Sequence, residues 1–117
     1  MSHIFSEAAG IRGFIGALLV DVESGLVLVA TGGSTISVEA VATFGIQVVE
    51  AMLQNLRALG VDERIAEILI TMGQQVHIIH PVEKAPGVLF YVCLDRQAAR
   101  VGMARVQVRR LGETLVP

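Results

Sequence analysis

Two histidines most invite a metal-binding or catalytic interpretation. His77 and His80 stand three positions apart in the apolar run Val-His-Ile-Ile-His at 76–80. This spacing puts two side chains on one face of a helix but on opposite faces of a strand, and the run is typical of a strand. No other histidine lies near them in the sequence, and a zinc site needs three or four converging ligands. We therefore interpret both histidines as structural, and predict no metal ion and no cofactor.

A thiol and a pair of carboxylates are the next groups with catalytic chemistry. Cys93 is the only cysteine, and it stands in the most apolar segment without a basic neighbour that would favour the thiolate. Asp21 and Glu23 flank a predicted turn, where water would surround both carboxylates instead of a general acid–base arrangement. The sequence therefore predicts a protein that is not an enzyme.

Two glycine-containing segments resemble phosphate-binding loops, at 10–16 (GIRGFIG) and at 31–34 (TGGS). Neither is followed by the Lys-Ser/Thr pair of a P-loop. The second precedes a helix, whose N-terminus favours anions, but a plain connection from strand to helix is the simpler interpretation. We predict no nucleotide site on this chain.

Arginines are concentrated near the C-terminus. The five are Arg96, Arg100, Arg105, Arg109 and Arg110, with no acidic residue between them. On a helical projection Arg105 and Arg109 lie opposite the other three, and no aromatic residue is interleaved. A solvated helix face is therefore predicted, and no nucleic-acid partner.

Length and composition narrow the class of protein further. The 117 residues are enough for a single domain spanning 1–117, and 53% are hydrophobic while 17% are charged. A typical soluble domain has about 25% charged residues, so part of the apolar surface is expected to meet a partner. A net charge of −2 and a lone cysteine exclude a highly basic protein and a disulfide scaffold. No segment is apolar enough for membrane insertion, and no signal peptide is visible, which predicts a cytoplasmic protein.

The hydropathy pattern predicts an α/β (α+β) protein. Strands are predicted at 14–22, 26–31, 65–72, 76–82 and 88–94, and helices at 38–59 and from Asp95 to about Arg110, with Gly112 just beyond and a short helical turn near 6–11. Gly25 suits a tight hairpin, Ser37 an N-cap and Gly60 a helix stop. Hairpin-length connections predict a five-stranded antiparallel sheet covered on both faces. The order ββαβββα then gives a three-layer α/β/α sandwich of profilin-like type.

The long helix has more apolar surface than one sheet can cover. Its polar residues form one stripe about 80° wide, whereas the rest of the circumference is almost entirely apolar. The stripe consists of Glu39, Thr43, Gln47, Glu50, Gln54 and Arg57. One apolar face can pack on the sheet, and the remainder predicts a second contact.

Several of these features together resemble the roadblock/dynein light chain family. They are Gly16-Ala-Leu-Leu-Val-Asp21, then Gly25-Leu-Val-Leu, a glycine loop, a long amphipathic helix and Glu67-Ile-Leu-Ile. The similarity covers residues 10–111. It implies a homodimer, or a heterodimer with a paralogous chain, in which the third strands pair edge to edge and the long helices pack together. The interface residues expected on this basis are Ala42, Ile46, Val49, Leu53, Ile65, Ile68, Ile70 and Met72.

The resemblance also implies a function, because prokaryotic members of the family serve small Ras-like GTPases as activating proteins or scaffolds. No GTPase-contact residue can be carried over by motif. We therefore predict the exposed stripe as the GTPase surface, formed by Thr43, Gln47, Glu50, Gln54 and Arg57. The alternative is a small-molecule sensor of profilin or PAS architecture, which would need a pocket on which polar groups such as His77, His80 and Tyr91 converge.

Overall fold

A computed structural model describes residues 2–32 and 37–115. The helices are α1 (Ser2–Ala9), α2 (Val38–Ala58) and α3 (Val101–Thr114), and the strands are β1 (Phe14–Asp21), β2 (Val27–Gly32), β3 (Ile68–Thr71), β4 (Gln75–Pro81) and β5 (Val88–Asp95). The five strands form one antiparallel sheet in the order β2-β1-β5-β4-β3. The predicted fold class and the order ββαβββα are confirmed.

The sheet separates two hydrophobic clusters because alternate side chains of a strand point to opposite faces. On one face, α1 and α3 pack on the sheet through residues such as Phe5 and Val108, and the ring of Phe5 meets that of Phe90 edge to face at 5.8 Å. On the other face, α2 packs through Ala42 and Val49. The three layers predicted from the sequence are therefore present.

The sheet is covered on both faces only at its centre. β1, β4 and β5 are buried along most of their length, whereas exposed and half-buried residues alternate along β2 and β3. The expectation of full coverage over β2 was wrong, because β2 is an outermost strand and the clusters beneath the helices reach only some of its side chains, such as Val27 and Val29. Leu26, just before β2, and Leu28 within it are 63% and 49% exposed.

The predicted ends of α2 are confirmed. The hydroxyl oxygen of Ser37 accepts a hydrogen bond from the backbone N–H of Ala40 at 3.3 Å. Gly60 has φ +72° after the helix, and Gly25 has φ +74° in the hairpin between β1 and β2. The glycine loop at 31–34 falls partly outside the described residues, because positions 33 and 34 are not among them.

The third strand is shorter than the predicted 65–72. Its pairing with β4 begins at Ile68, opposite Ile79, and the register would bring residue 66 opposite Pro81. Proline has no N–H to donate, so the ladder stops there. Residues 65–67 approach the strand without being part of it.

Both terminal helices differ from the prediction. α1 begins at Ser2 and ends at Ala9, earlier than the helical turn expected at 6–11, because Ile4, Phe5 and Ala8 bury against the sheet. Packing stabilises so short a helix where intrinsic propensity does not. At the other end, Asp95 caps only a turn, and α3 starts at Val101.

Gly112 lies inside α3 and is not its stop signal. A methyl group added there would overlap the imidazole ring of His80, so the missing side chain lets the helix continue over that ring. The predicted core stripe of this helix, Val101, Ala104, Val108 and Leu111, is confirmed. Among the described residues, no helix is long and apolar enough to cross a membrane.

Candidate functional site

The exposed surface of α2 has an apolar flank that lies toward β3. The ring of Phe44 meets that of His77 edge to face at 6.5 Å, and His77 pairs with Ile70 of β3. Phe44 is 41% exposed and Met52, eight residues later on the same flank, is 44% exposed. Large apolar side chains this exposed, beside a sheet edge, form a surface suited to a protein partner.

The edge of β3 is the second part of this surface. Among the described residues β3 pairs with β4 alone, so within that part of the chain its other side presents unpaired backbone groups. Ile68 and Ile70 are half-buried against the α2 cluster, whereas Leu69 is 39% and Met72 is 36% exposed. Strand edge and helix flank are therefore adjacent, and one partner can contact both.

The predicted interface residues are not all available to a partner. Ala42 and Val49 are 2% and 5% exposed, so they already belong to the core beneath α2. Ile46 and Leu53 are half-buried against the same core. The predicted residues that remain at or beside the β3 edge are Ile65, Ile68, Ile70 and Met72. A helical projection from sequence does not say which apolar flank meets the sheet, which is why the exposure of Phe44 and Met52 was not predicted.

The polar stripe lies on the opposite flank of α2, toward β1. All five of its predicted contact residues, Thr43, Gln47, Glu50, Gln54 and Arg57, are exposed. The last four line an open groove of about 540 Å³ together with Leu53 and Val22, the residue that follows β1. The stripe is thus separated from the β3 edge by the width of the helix.

A buried polar network supports α2 from below. The Tyr91 hydroxyl lies 2.5 Å from Nδ1 of His77, and Nε2 of the same ring lies 2.9 Å from Oε1 of Gln75. Because the amide oxygen only accepts, Nε2–H donates to Gln75 and the Tyr91 hydroxyl donates to Nδ1. Burial lowers the pKa of His77 and raises that of Tyr91, so both groups stay neutral.

The histidines do not form a site together. His77 pairs with Cys93 on the α2 face of β4, whereas His80 pairs with Phe90 and faces α3. The prediction that they diverge is confirmed. Within residues 2–32 and 37–115, no three His, Cys, Asp or Glu side chains are grouped to hold a metal ion. Nor do His77, His80 and Tyr91 converge on one cavity, as the sensor alternative would require.

The thiol and the carboxylates have structural surroundings. Cys93 is 6% exposed, and burial raises its pKa to about 12, so the thiol stays protonated. Asp21 accepts hydrogen bonds from the Ser24 hydroxyl at 2.6 Å and from the Ser24 backbone N–H at 3.2 Å. These bonds lower the pKa of Asp21 and brace the hairpin turn.

Comparison with solved structures shows which proteins share this fold. A roadblock/LC7 domain from Streptomyces avermitilis aligns with a TM-score of 0.82 at 13% identity, over 97% of this chain and 92% of that one. MglB from Myxococcus xanthus aligns at 0.79 and 16%, over 97% and 91%. The gliding protein MglB from Thermus thermophilus aligns at 0.78 and 20%, over 96% and 82%.

These likenesses confirm, at the level of fold, the resemblance inferred from the sequence: the chain has the roadblock/LC7 fold. No protein-family model matches the chain, and no curated protein matches it in sequence.

Proposed function

We propose that this chain is a non-catalytic, dimeric scaffold or regulator of a small Ras-like GTPase. The roadblock/LC7 fold supports the proposal, because the resemblance implies such partners. Its neighbours in fold include MglB and roadblock/LC7 domains. A regulator of this kind acts by binding and repositioning the switch loops of the GTPase, and it needs no catalytic side chain of its own.

The observation that carries the proposal is the adjacency of an apolar helix flank and a free strand edge. Phe44 contacts His77, which pairs with Ile70 of β3, and Met52 is exposed on the part of α2 outside the polar stripe. In the proposed dimer, two β3 strands pair antiparallel across a two-fold axis and the α2 flanks pack against each other. Burying a total of more than about 1,200 Å² in this way would remove the exposed apolar surface from water.

The polar stripe is the proposed GTPase surface. Thr43, Gln47, Glu50, Gln54 and Arg57 stay exposed beside the paired helices in the proposed dimer, where an open groove runs along α2. These five residues have only two charges, on Glu50 and Arg57, and their amide and hydroxyl groups suit a reversible contact. Charges at such a rim set orientation and association rate more than affinity.

The experiment is a binding measurement with a small Ras-like GTPase from the same genome, loaded with GDP or with a non-hydrolysable GTP analogue. A complex that forms with the dimer, and that depends on the nucleotide state, would support regulation. If the chain is dimeric but binds no such GTPase in either nucleotide state, the proposed dimer is supported and the proposed GTPase partner is rejected.

A further inference from the structure

Positive charge is concentrated on the face of the sheet that α2 does not cover. The segment 96–110 has five arginines and no acidic residue, in a chain whose net charge is −2. Two of the five are committed to carboxylates: Arg105 forms a bidentate pair with Glu67, at 2.6 and 2.8 Å, and Arg109 lies 3.8 Å from Glu113. A third, Arg96, donates to a backbone carbonyl. The remaining two, Arg100 and Arg110, form neither an ion pair nor such a bond with the described residues, so their guanidinium groups are open to a partner.

One of these arginines lines a cleft with another basic side chain. Arg100 and Arg12 flank a cleft of about 230 Å³ between the turn that follows α1 and the start of α3. Both side chains are exposed, and neither forms an ion pair with any described residue. Each guanidinium group offers a pair of parallel N–H donors, with the geometry that phosphate oxygens accept, and the cleft is lined by two such groups.

The N-terminus of α3 adds partial positive charge beside the same cleft. The helix begins at Val101, and the side chain of its N-cap residue, Arg100, forms no capping hydrogen bond. The first N–H groups of a helix have no intrahelical partner and present partial positive charge. The cleft thus combines two guanidinium groups with a helix N-terminus, and Gln107 contributes an amide to its lining.

An exposed apolar side chain at the same cleft favours a lipid headgroup phosphate over a nucleic-acid phosphate. Met103 lines the cleft and is 60% exposed, one of the most exposed apolar side chains described. Nucleic-acid surfaces combine arginine with aromatic side chains on which bases stack, and no aromatic residue lines this cleft. Basic groups beside an exposed aliphatic side chain offer the two kinds of contact that an anionic lipid surface provides, charge at the headgroups and apolar surface below them.

We propose that the α1–α3 face docks on an anionic phospholipid bilayer, with a headgroup phosphate held between Arg12 and Arg100 and with Met103 at the boundary of the acyl chains. Arg110, seven residues after Met103, lies on the same face of α3 and adds to the attraction. Two exposed carboxylates of these helices oppose it: Glu7 of α1, and Glu113 of α3, which lies 3.8 Å from Arg109. α2 lies on the other face of the sheet, so docking leaves the polar stripe free.

The test is co-sedimentation of the purified chain with vesicles. Vesicles rich in phosphatidylglycerol should bind the protein at low ionic strength, and phosphatidylcholine vesicles should not. Each arginine near an anionic surface contributes roughly a fivefold change in partition coefficient, so Arg12→Gln with Arg100→Gln should reduce binding at least about tenfold. Arg57→Gln is the matched control, because Arg57 is exposed on the opposite face, and it should change binding less than about twofold.

A charge-conserving variant and the melting temperatures of all variants complete the experiment. Met103→Gln, which preserves every charge, should weaken vesicle binding a few-fold, and all variants should melt at the wild-type temperature because their side chains are exposed. The proposal is overturned if anionic vesicles bind no protein, or if the double variant binds as well as the wild type. It also falls if phosphatidylcholine vesicles bind the protein as well as phosphatidylglycerol vesicles do, since the headgroup charge would then play no part.

Discussion

Gly45 of α2 lies directly over the ring of Tyr91 in β5. A methyl group added to this glycine would stand 2.8 Å from both Cδ2 and Cε2 of the tyrosine, which is closer than carbon atoms can approach. The helix therefore rests on the ring at a distance that only glycine permits, and the ring is in turn held by His77. This contact sets the height of α2, and hence of its exposed flanks, above the sheet.

The first prediction concerns this contact. Gly45→Ala gains up to about 1 kcal/mol in helix propensity but overpacks the core at a cost of about 1–3 kcal/mol, so we expect a net loss of stability. Gly102→Ala in α3 is the matched control, because nothing lies within 4 Å of the added methyl group. Urea unfolding of the two variants measures the difference. Equal stabilities would mean that α2 does not press on Tyr91.

The second prediction concerns pH. Burial lowers the pKa of His77 and of His80, whereas in the unfolded chain both titrate near the usual value of about 6.5. As the pH falls through that value, the unfolded chain binds protons that the folded chain does not. Stability is therefore complete above it and is lost below it, by up to about 1.4 kcal/mol per site and pH unit.

Urea unfolding at pH 7.5 and at pH 5.5 tests this expectation. The wild type should be less stable at the lower pH, and the double variant His77→Gln with His80→Gln should lose less between the two. An unchanged slope in the double variant would assign the effect to other groups.

Much of the fold could be predicted from the sequence, because its signals are local. Gly25 and Gly60 mark a hairpin and a helix end through their own backbone freedom, and Ser37 caps α2 through a bond to a residue three positions away. Gly112 was misinterpreted, because the same absence of a side chain that ends a helix also lets one cross His80. Only the tertiary partner distinguishes the two uses.

The candidate site could be predicted only in part, for a related reason. The exposed stripe on α2 follows from helical periodicity alone, and its five residues are exposed as expected. The apolar circumference is too wide for periodicity to say which flank packs on the sheet and which stays free. Phe44 and Met52 are identified by their exposure and by the contact of Phe44 with His77, neither of which is local in sequence.

The third prediction tests the apolar flank. Phe44→Asp puts a charge where the second α2 helix would pack, and an unpaired buried charge is strongly unfavourable, so the dimer should dissociate into folded monomers. Met52→Glu should act in the same direction without removing the ring contact to His77. Met103→Asp is the control, because it puts the same charge on an exposed apolar side chain on the other face of the sheet. Light scattering gives the mass, and a dimeric Met52→Glu variant would exclude this flank as the interface.

The fourth prediction tests the polar stripe. Glu50→Lys combined with Arg57→Glu reverses both charges among the five proposed contact residues and conserves the net charge. We expect an unchanged dimer mass and melting temperature, and at least about a tenfold weaker affinity for the GTPase, which corresponds to about 1.4 kcal/mol. Lys84→Glu, on the exposed β4–β5 turn, is a control that should leave the affinity within about twofold. If affinity persists in the double variant, the GTPase binds elsewhere.

Sedimentation equilibrium of the wild-type chain, alone and with the GTPase, measures both the proposed dimer and its complex with the GTPase. We expect a molecular mass of twice the 12.5 kDa of one chain at micromolar concentration. When the GTPase carries the preferred nucleotide, we expect a heavier species that contains the dimer. A mass of 12.5 kDa for the chain alone, with no heavier species when the GTPase is added, would contradict both the dimer and its proposed partner.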